Sequence, residues 1–326
     1  MRNKNIQFSF LVIVMLASLV ACKKEEYTIP DPVSQLTNDC IKRTIGPSIV
    51  SLPLEFAYAM AIPKSNGKLV SAQVEASIAG AAGTYLENRS FYTNSSGVDV
   101  PVLVGAPSLT VDKTTKVTYT IDTNAATLRY YYVIPEAARG QSVSFTFTAT
   151  SSDGKTASYK MGPYAISKMS IKKNLAVSNG VNAYISIEDM AVYNAAAAAA
   201  SPNKIDLVYL YRAAPTTFTH ALVAPAADAA YLPGVVLPTG VNRTAKIRKV
   251  FNLQDRNLAN LQFGIYVDDV DFRDLDLTDA PNFSIGLRAE AGIWVETADK
   301  KYRAYIFVNS INAAGSAVIS MLRYAL

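Results

Sequence analysis

The chain has 326 residues, half of them hydrophobic and 17% charged, which is too apolar for a disordered chain and long enough to bury one large core or two modest ones. A formal charge of +5 is mild and does not suggest a nucleic-acid protein, which would carry a dense Lys/Arg stripe. Two cysteines exclude a disulfide scaffold, and a single histidine excludes a His-rich metal site.

The first segment reads as an address and not as fold. Arg2 and Lys4 form a positive start, and Phe8 to Val20 is an apolar run of signal-peptide length, short for a membrane span. It ends Leu19-Val20-Ala21-Cys22, small residues before a cysteine, which resembles the bacterial lipobox. Residues 1–21 are expected to be removed and Cys22 lipidated. Lys23-Lys24-Glu25-Glu26 then resembles the signal that sends lipoproteins of Bacteroidetes-type bacteria to the outer face of the outer membrane. No other segment reaches ~18 consecutive apolar residues, so anchoring falls to lipid, each buried methylene adding roughly 0.8 kcal/mol. Residues 22–36, with Pro30 and Pro32, read as a tether.

Beyond it, alternation with period two dominates. Leu52, Leu54, Phe56, Tyr58, Met60 and Ile62 fall on one side of a strand, with Glu55, Ala57, Ala59 and Ala61 on the other. Val70–Ile78, Val117–Ile121, Leu128–Ile134 and Val143–Ala149 repeat the pattern, and Ser152-Asp153-Gly154 reads as a hairpin turn into Thr156–Met161. One apolar face per strand predicts two sheets packed face to face. Residues 37–165 are therefore expected to form an immunoglobulin-like β-sandwich.

Met161-Gly162-Pro163 is expected to end that unit's last strand. A second β-sandwich is predicted over 166–326, with strands at Ala183–Ile187, Ile205–Arg212, Ala245–Leu253, Leu261–Asp268, Phe283–Glu290, Ile293–Thr297, Tyr302–Ser310 and Ala317–Tyr324. Ala195–Ala200 has helix propensity, and Gln254–Leu261 reads as another short helix. The fold class is all-β, two tandem sandwiches with short Ala-rich helical segments in the second.

Several phrases carry a resemblance over the mature chain: Phe56-Ala57-Tyr58-Ala59-Met60-Ala61, Ala79-Gly80-Ala81-Ala82-Gly83-Thr84, Leu128-Arg129-Tyr130-Tyr131-Tyr132, Pro135-Glu136-Ala137-Ala138-Arg139-Gly140, Met161-Gly162-Pro163-Tyr164 and Ile205-Asp206-Leu207-Val208-Tyr209. The chain resembles Bacteroidetes surface lipoproteins of unknown function, among the accessory lipoproteins of starch-utilisation-type (Sus-like) nutrient-uptake systems. The resemblance implies β-rich domains on the cell surface, a TonB-dependent transporter and its lipoprotein partner as partners, and a glycan, peptide or lipid as cargo. It carries over no catalytic residue.

The residues themselves offer little catalytic chemistry. Gly80-Ala81-Ala82-Gly83 lacks the Lys-Ser/Thr of a phosphate loop and reads as a turn. No nucleophile elbow or acid spacing marks His220 as part of a triad, and Cys40 reads as a small buried hydrophobe. Asp268, Asp269, Asp271, Asp274, Asp276 and Asp279 form the densest acidic cluster. Calcium held by Asp269, Asp271 and Asp274 is one reading, although the spacing misses the EF-hand pattern and its glycine; a solvated acidic loop is the other. Lys246-Ile247-Arg248-Lys249 reads as an exposed strand edge that discourages aggregation, with an anion site as the alternative.

The last hairpin carries the candidate ligand-binding site. A turn at Ala298-Asp299-Lys300-Lys301 sets Trp294 opposite Tyr305 and Glu296 opposite Arg303, on the face away from Ile293, Val295, Ala304 and Ile306. Trp294, Glu296, Arg303 and Tyr305 would form an aromatic and charged stacking platform for a sugar or peptide, or else ordinary cross-strand support. The expected function is a non-enzymatic accessory or cargo-binding surface lipoprotein without nucleic-acid partners. An adhesin or fimbria-like subunit, or a carboxylate-based hydrolase, stays open as an alternative.

Overall fold

The computed structural model describes residues 34–251 and 266–326. Cys22, most of the tether, the expected helix Gln254–Leu261 and most of the expected strand Leu261–Asp268 lie outside the described residues.

The first sandwich is built from β1 (Thr37–Lys42), β2 (Pro53–Ala61), β3 (Leu69–Ala76), β4 (Tyr85–Leu86), β5 (Arg89–Thr93), β6 (Asp99–Leu103), β7 (Leu109–Val111), β8 (Thr114–Thr118), β9 (Ala125–Val133), β10 (Ser142–Ser151) and β11 (Thr156–Ala165). One sheet runs β1-β2-β9-β4 and the other β11-β10-β3-β8-β7, with β5 and β6 forming a separate hairpin. Taking β1, β2, β3, β9, β10 and β11 as strands A, B, C, E, F and G gives one sheet built on A-B-E and one on G-F-C, which is the immunoglobulin-like arrangement. Alternation places the core: Leu54, Phe56, Tyr58 and Met60 of β2 are buried between outward-facing neighbours. Phe56 lies opposite Tyr130 in the ladder and reaches across to Phe145 and Phe147, with ring centroids 4.8 and 5.4 Å away. The buried tyrosine hydroxyls have partners: Asn38 Nδ2 donates to Tyr58 Oη at 2.9 Å, and Tyr132 Oη donates to the Ile78 carbonyl at 3.0 Å. Cys40 is buried, and burial pushes its thiol up to about 12, the behaviour of a packing residue.

Met161-Gly162-Pro163 does not end a strand as expected. β11 continues to Ala165 because a bulge opposite Val143 and Phe145 absorbs the irregularity. Gly162 sits at φ +94°, where a Cβ would stand 2.9 Å from the Val143 carbonyl, so glycine is what lets the strand pass.

The second sandwich comprises β12 (Ser170–Ser178), β13 (Asn182–Ser186), β14 (Ala191–Asn194), β15 (Leu207–Arg212), β16 (Thr219–Val223), β17 (Ala245–Val250), β18 (Phe283–Leu287), β19 (Gly292–Thr297), β20 (Tyr302–Ile311) and β21 (Ser316–Ala325). Its sheets run β12-β21-β20-β19-β17 and β14-β13-β15-β16-β18. Ile293, Val295, Ala304, Ile306, Ile319 and Met321 of the first meet Ile185, Leu207, Tyr209 and Leu222 of the second. The alanine run forms the helix Ala195–Ala200, capped by the Asn194 side chain, which accepts the Ala197 N–H at 2.9 Å. β17 is an edge strand with Lys246, Arg248 and Lys249 exposed, as expected of a charged edge. Among the described residues no helix is long and apolar enough to cross a membrane.

A third apolar cluster joins the two sandwiches. Ile49 of the first packs with Met169, Phe272, Trp294, Tyr305 and Tyr324 of the second. The crossing segment is tied at each step. The Ser167 N–H donates to the Ser48 carbonyl at 2.8 Å, and the Lys168 N–H to Asp269 Oδ2 at 2.9 Å. Arg139 Nη1 donates to the carbonyls of Lys168 and Met169 at 2.9 and 2.6 Å.

Candidate ligand-binding cleft at the junction of the two sandwiches

The structure reproduces the expected register of the last hairpin, with Trp294 opposite Tyr305 and Glu296 opposite Arg303, but corrects its role. Trp294 and Tyr305 are buried, 6% and 0% exposed. The covering piece is the acidic segment itself, which folds into the short helix Asp269–Asp274 and sets the Phe272 ring edge-on to Trp294 at 5.2 Å. Arg303 is turned to that helix, donating Nη1 to the carbonyls of Phe272 and Arg273 at 2.5 and 3.1 Å while its Nε pairs with Glu296 at 2.9 Å. Trp294, Glu296, Arg303 and Tyr305 therefore dock a helix; no ligand can stack on rings already covered.

The calcium reading is corrected by the same helix. Asp268 caps it, accepting the N–H groups of Val270 and Asp271, while Asp271 accepts the Asp268 N–H at 2.9 Å. Asp269 turns away to accept from Ser167 Oγ and the Lys168 N–H. Asp269, Asp271 and Asp274 do not converge, and among the described residues no group of three or more His, Cys, Asp or Glu could hold a metal.

His220 is buried, with Nδ1 2.6 Å from Tyr209 Oη, and burial lowers its pKa. It borders a cleft of about 770 Å³ whose lining includes no acid, so among the described residues it has no orienting carboxylate.

A cleft of equal volume, about 770 Å³, opens where the two sandwiches meet. β12 and β14 are the outermost strands of their sheets, and the cleft lies along them. Leu175 and Val192, packed on the second core, contribute apolar lining. Lys168, Ser170 and Lys172 alternate along the approach to and start of β12, and Arg323 of β21 stands opposite Ser170. Glu136 and Arg139 close it from the first sandwich.

The charges divide into paired and open. Arg139 grips Glu136 through Nε and Nη2, and those hydrogen bonds hold the Glu136 carboxyl below the usual carboxylate range. Burial pushes the Asp189 carboxyl up, but hydrogen bonds from Lys204, at 2.8 Å, and Tyr193, at 2.7 Å, outweigh it and leave a net lowering. Arg323 lies over the Tyr302 ring at 5.0 Å and donates to the Glu188 carbonyl and to Ser170 Oγ. Among the described residues no carboxylate lies within ion-pair distance of Lys168, Lys172 or Arg323. Sequence reasoning missed this site because its cations come from positions 139, 168–172 and 323, which share no spacing; the alternation Lys168-x-Ser170-x-Lys172 was the only local signal.

A crystal structure of a DUF4466 family protein from Parabacteroides merdae is similar to this chain at 48% identity, covering 90% of this chain and 100% of that one with a TM-score of 0.85. The chain belongs to the DUF4466 family. Within it, the domain of unknown function DUF4466 matches residues 33–166, and a second domain of unknown function, DUF8576, matches residues 167–326. The cleft of this DUF4466 protein is thus lined from both matched regions. Two pilins show much lower similarity. The 35 kDa C-terminal fragment of the Streptococcus agalactiae major pilin has 10% identity and a TM-score of 0.28, over 48% of this chain and 66% of that one. The Bacillus cereus major pilin subunit has 9% identity and a TM-score of 0.29, over 87% and 62%. Likeness at that level carries no argument. No curated protein matches.

Proposed function

We propose that this DUF4466 protein is a lipid-anchored protein of the outer-membrane surface. It holds a ligand in the junction cleft as a non-enzymatic accessory or ligand-binding component of a TonB-dependent nutrient-uptake complex of the Sus-like kind. The observation that carries the reading is Leu19-Val20-Ala21-Cys22 after an apolar run, followed at once by Lys23-Lys24-Glu25-Glu26. Similarity to a Parabacteroides protein fits the bacterial group in which that charged export signal is used. Confinement to the membrane plane raises the local concentration of captured ligand near a transporter, so weak binding is sufficient. The cleft supports capture over catalysis: its two acids, Glu136 and Asp189, are already engaged by Arg139 and by Lys204.

Mass spectrometry of the native amino terminus should find an acylated Cys22, and protease added to intact cells should digest the protein. Detergent pull-down should recover a TonB-dependent transporter with its lipoprotein partner. An unmodified Cys22, or full protection on intact cells, rejects the reading.

A further inference from the structure

We infer that the junction cleft is an anion site, built for a small acidic saccharide whose carboxylate or sulfate is held by Arg323, Lys168 and Lys172. The inference rests on the capture reading above and adds the ligand's chemical class. The cleft brings four cations, Arg139, Lys168, Lys172 and Arg323, together with two acids, Glu136 and Asp189. Both acids are spent on cations: Glu136 on Arg139, and Asp189 on Lys204. Arg323 also acts at longer range on both acids, but no acid among the described residues is within ion-pair distance of Lys168, Lys172 or Arg323, and the surplus positive charge they leave in a concave space concentrates anions.

Arg323 supplies direction as well as charge. It commits one N–H of each terminal nitrogen to the Glu188 carbonyl and Ser170 Oγ, and Tyr302 supports its plane. Among the described residues its Nε and the second N–H of each terminal nitrogen have no acceptor, and a held guanidinium binds a carboxylate or sulfate with two parallel hydrogen bonds at little entropic cost. Lys168 and Lys172 stand on the same side of the chain with flexible ammonium groups that follow the ligand's remaining charge.

The rest of the lining selects against other ligands. Among the described residues no aromatic ring lines the cleft, so a neutral sugar finds no stacking plane there. Ser170 and Asn174 offer hydroxyl and amide partners to ligand hydroxyls. A peptide adding as a strand needs an unbroken ladder, and β12 is bulged between Lys172 and Leu175 at the cleft.

The test titrates the mature protein with trigalacturonate, its methyl ester, a sulfated galactose disaccharide and triglutamate, at low and high salt. At least one acidic saccharide should bind, weakening with salt, and the carboxylate and sulfate arms identify which acid the site takes. Where trigalacturonate is the ligand, its uncharged ester should bind about ten-fold more weakly or worse. Lys168→Gln with Lys172→Gln, both exposed, should lower affinity about ten-fold without shifting the melting temperature. Arg323→Lys, which keeps the charge, should still weaken binding several-fold, because the fork is gone. Ester binding equal to the acid, an unchanged double variant, triglutamate binding in place of both saccharides, or no binding by any probe overturns the proposal. If the ester binds as well as the acid and Ala176→Trp, which fills the cleft, abolishes both, the ligand class fails while capture in the cleft stands. If wild type binds none of the probes and intact cells yield no acylated Cys22, the surface-capture reading fails as well.

Discussion

Glu296 and Arg303 face each other across β19 and β20, with Arg303 Nε 2.9 Å from Glu296 Oε2, and the same guanidinium holds the last turn of the helix Asp269–Asp274 by its carbonyls. One side chain thus links the hairpin to the element that covers it. The pair is mostly buried, 16% and 14% exposed, so removing one partner strands the other. Arg303→Met should cost about 3 kcal/mol in urea unfolding. Adding Glu296→Leu should restore part of it, and a double variant less stable than the single one refutes this account. Trp294→Ala should lower stability by ~3–5 kcal/mol, as expected of a core aromatic.

The acidic segment works as a helix start. Asp268→Ala removes a cap that accepts from Val270 at 2.7 Å and should destabilise by about 1 kcal/mol. Calcium or a chelator should leave the melting temperature of the wild type unchanged. A rise of several degrees with calcium would restore the cation reading.

Gly292 is a packing glycine. A Cβ there would stand 2.3 Å from Tyr305 Oη and 2.7 Å from the ring, and Tyr305 is fully buried, so its ring must shift within the core to make room. Gly292→Ala should cost about 1–3 kcal/mol by overpacking, measured by thermal or urea unfolding. A neutral substitution would mean that the ring moves.

Asp206 makes stability depend on pH. It is 1% exposed; burial raises its pKa to about 6, opposed by the Ile187 N–H and by Arg243, whose Nε lies 3.3 Å away. The folded state therefore keeps a proton that the unfolded chain releases near 4. Stability from this group is fully present below the unfolded value and is lost as pH rises through about 6. Asp206→Asn should gain on wild type between pH 4 and pH 7, by up to ~3 kcal/mol. Parallel stability curves across that range would exclude the assignment.

The strands were legible wherever a single face is buried. β2, β9 and β10 alternate cleanly because their outer faces meet water, and the Trp294–Tyr305 register followed from one turn. The fate of that hairpin's second face was not legible. Trp294 and Phe272 meet through a fold-level contact between segments whose own patterns say only that one is aromatic and the other acidic. Asp269 and Asp271 look like ligands in a list of acids, and only the folded chain shows Asp271 accepting the Asp268 N–H at its helix start and Asp269 the Lys168 N–H of the crossing segment. β14 and the hairpin of β5 and β6 escaped because four or five residues with mixed exposure carry no period. The cleft was hidden for the same reason as the helix: Arg139, Lys168 and Arg323 become neighbours only after two modules dock.

The brace from Arg139 to the Lys168 and Met169 carbonyls has a consequence for selectivity. It makes the first sandwich a fixed jaw. On the proposed capture reading, a ligand entering the groove would meet a shape already in place and lose little affinity to ordering the protein. Discrimination would then come from fit to a standing mould, and any drift in how the modules meet would retune the proposed site without touching a contact residue.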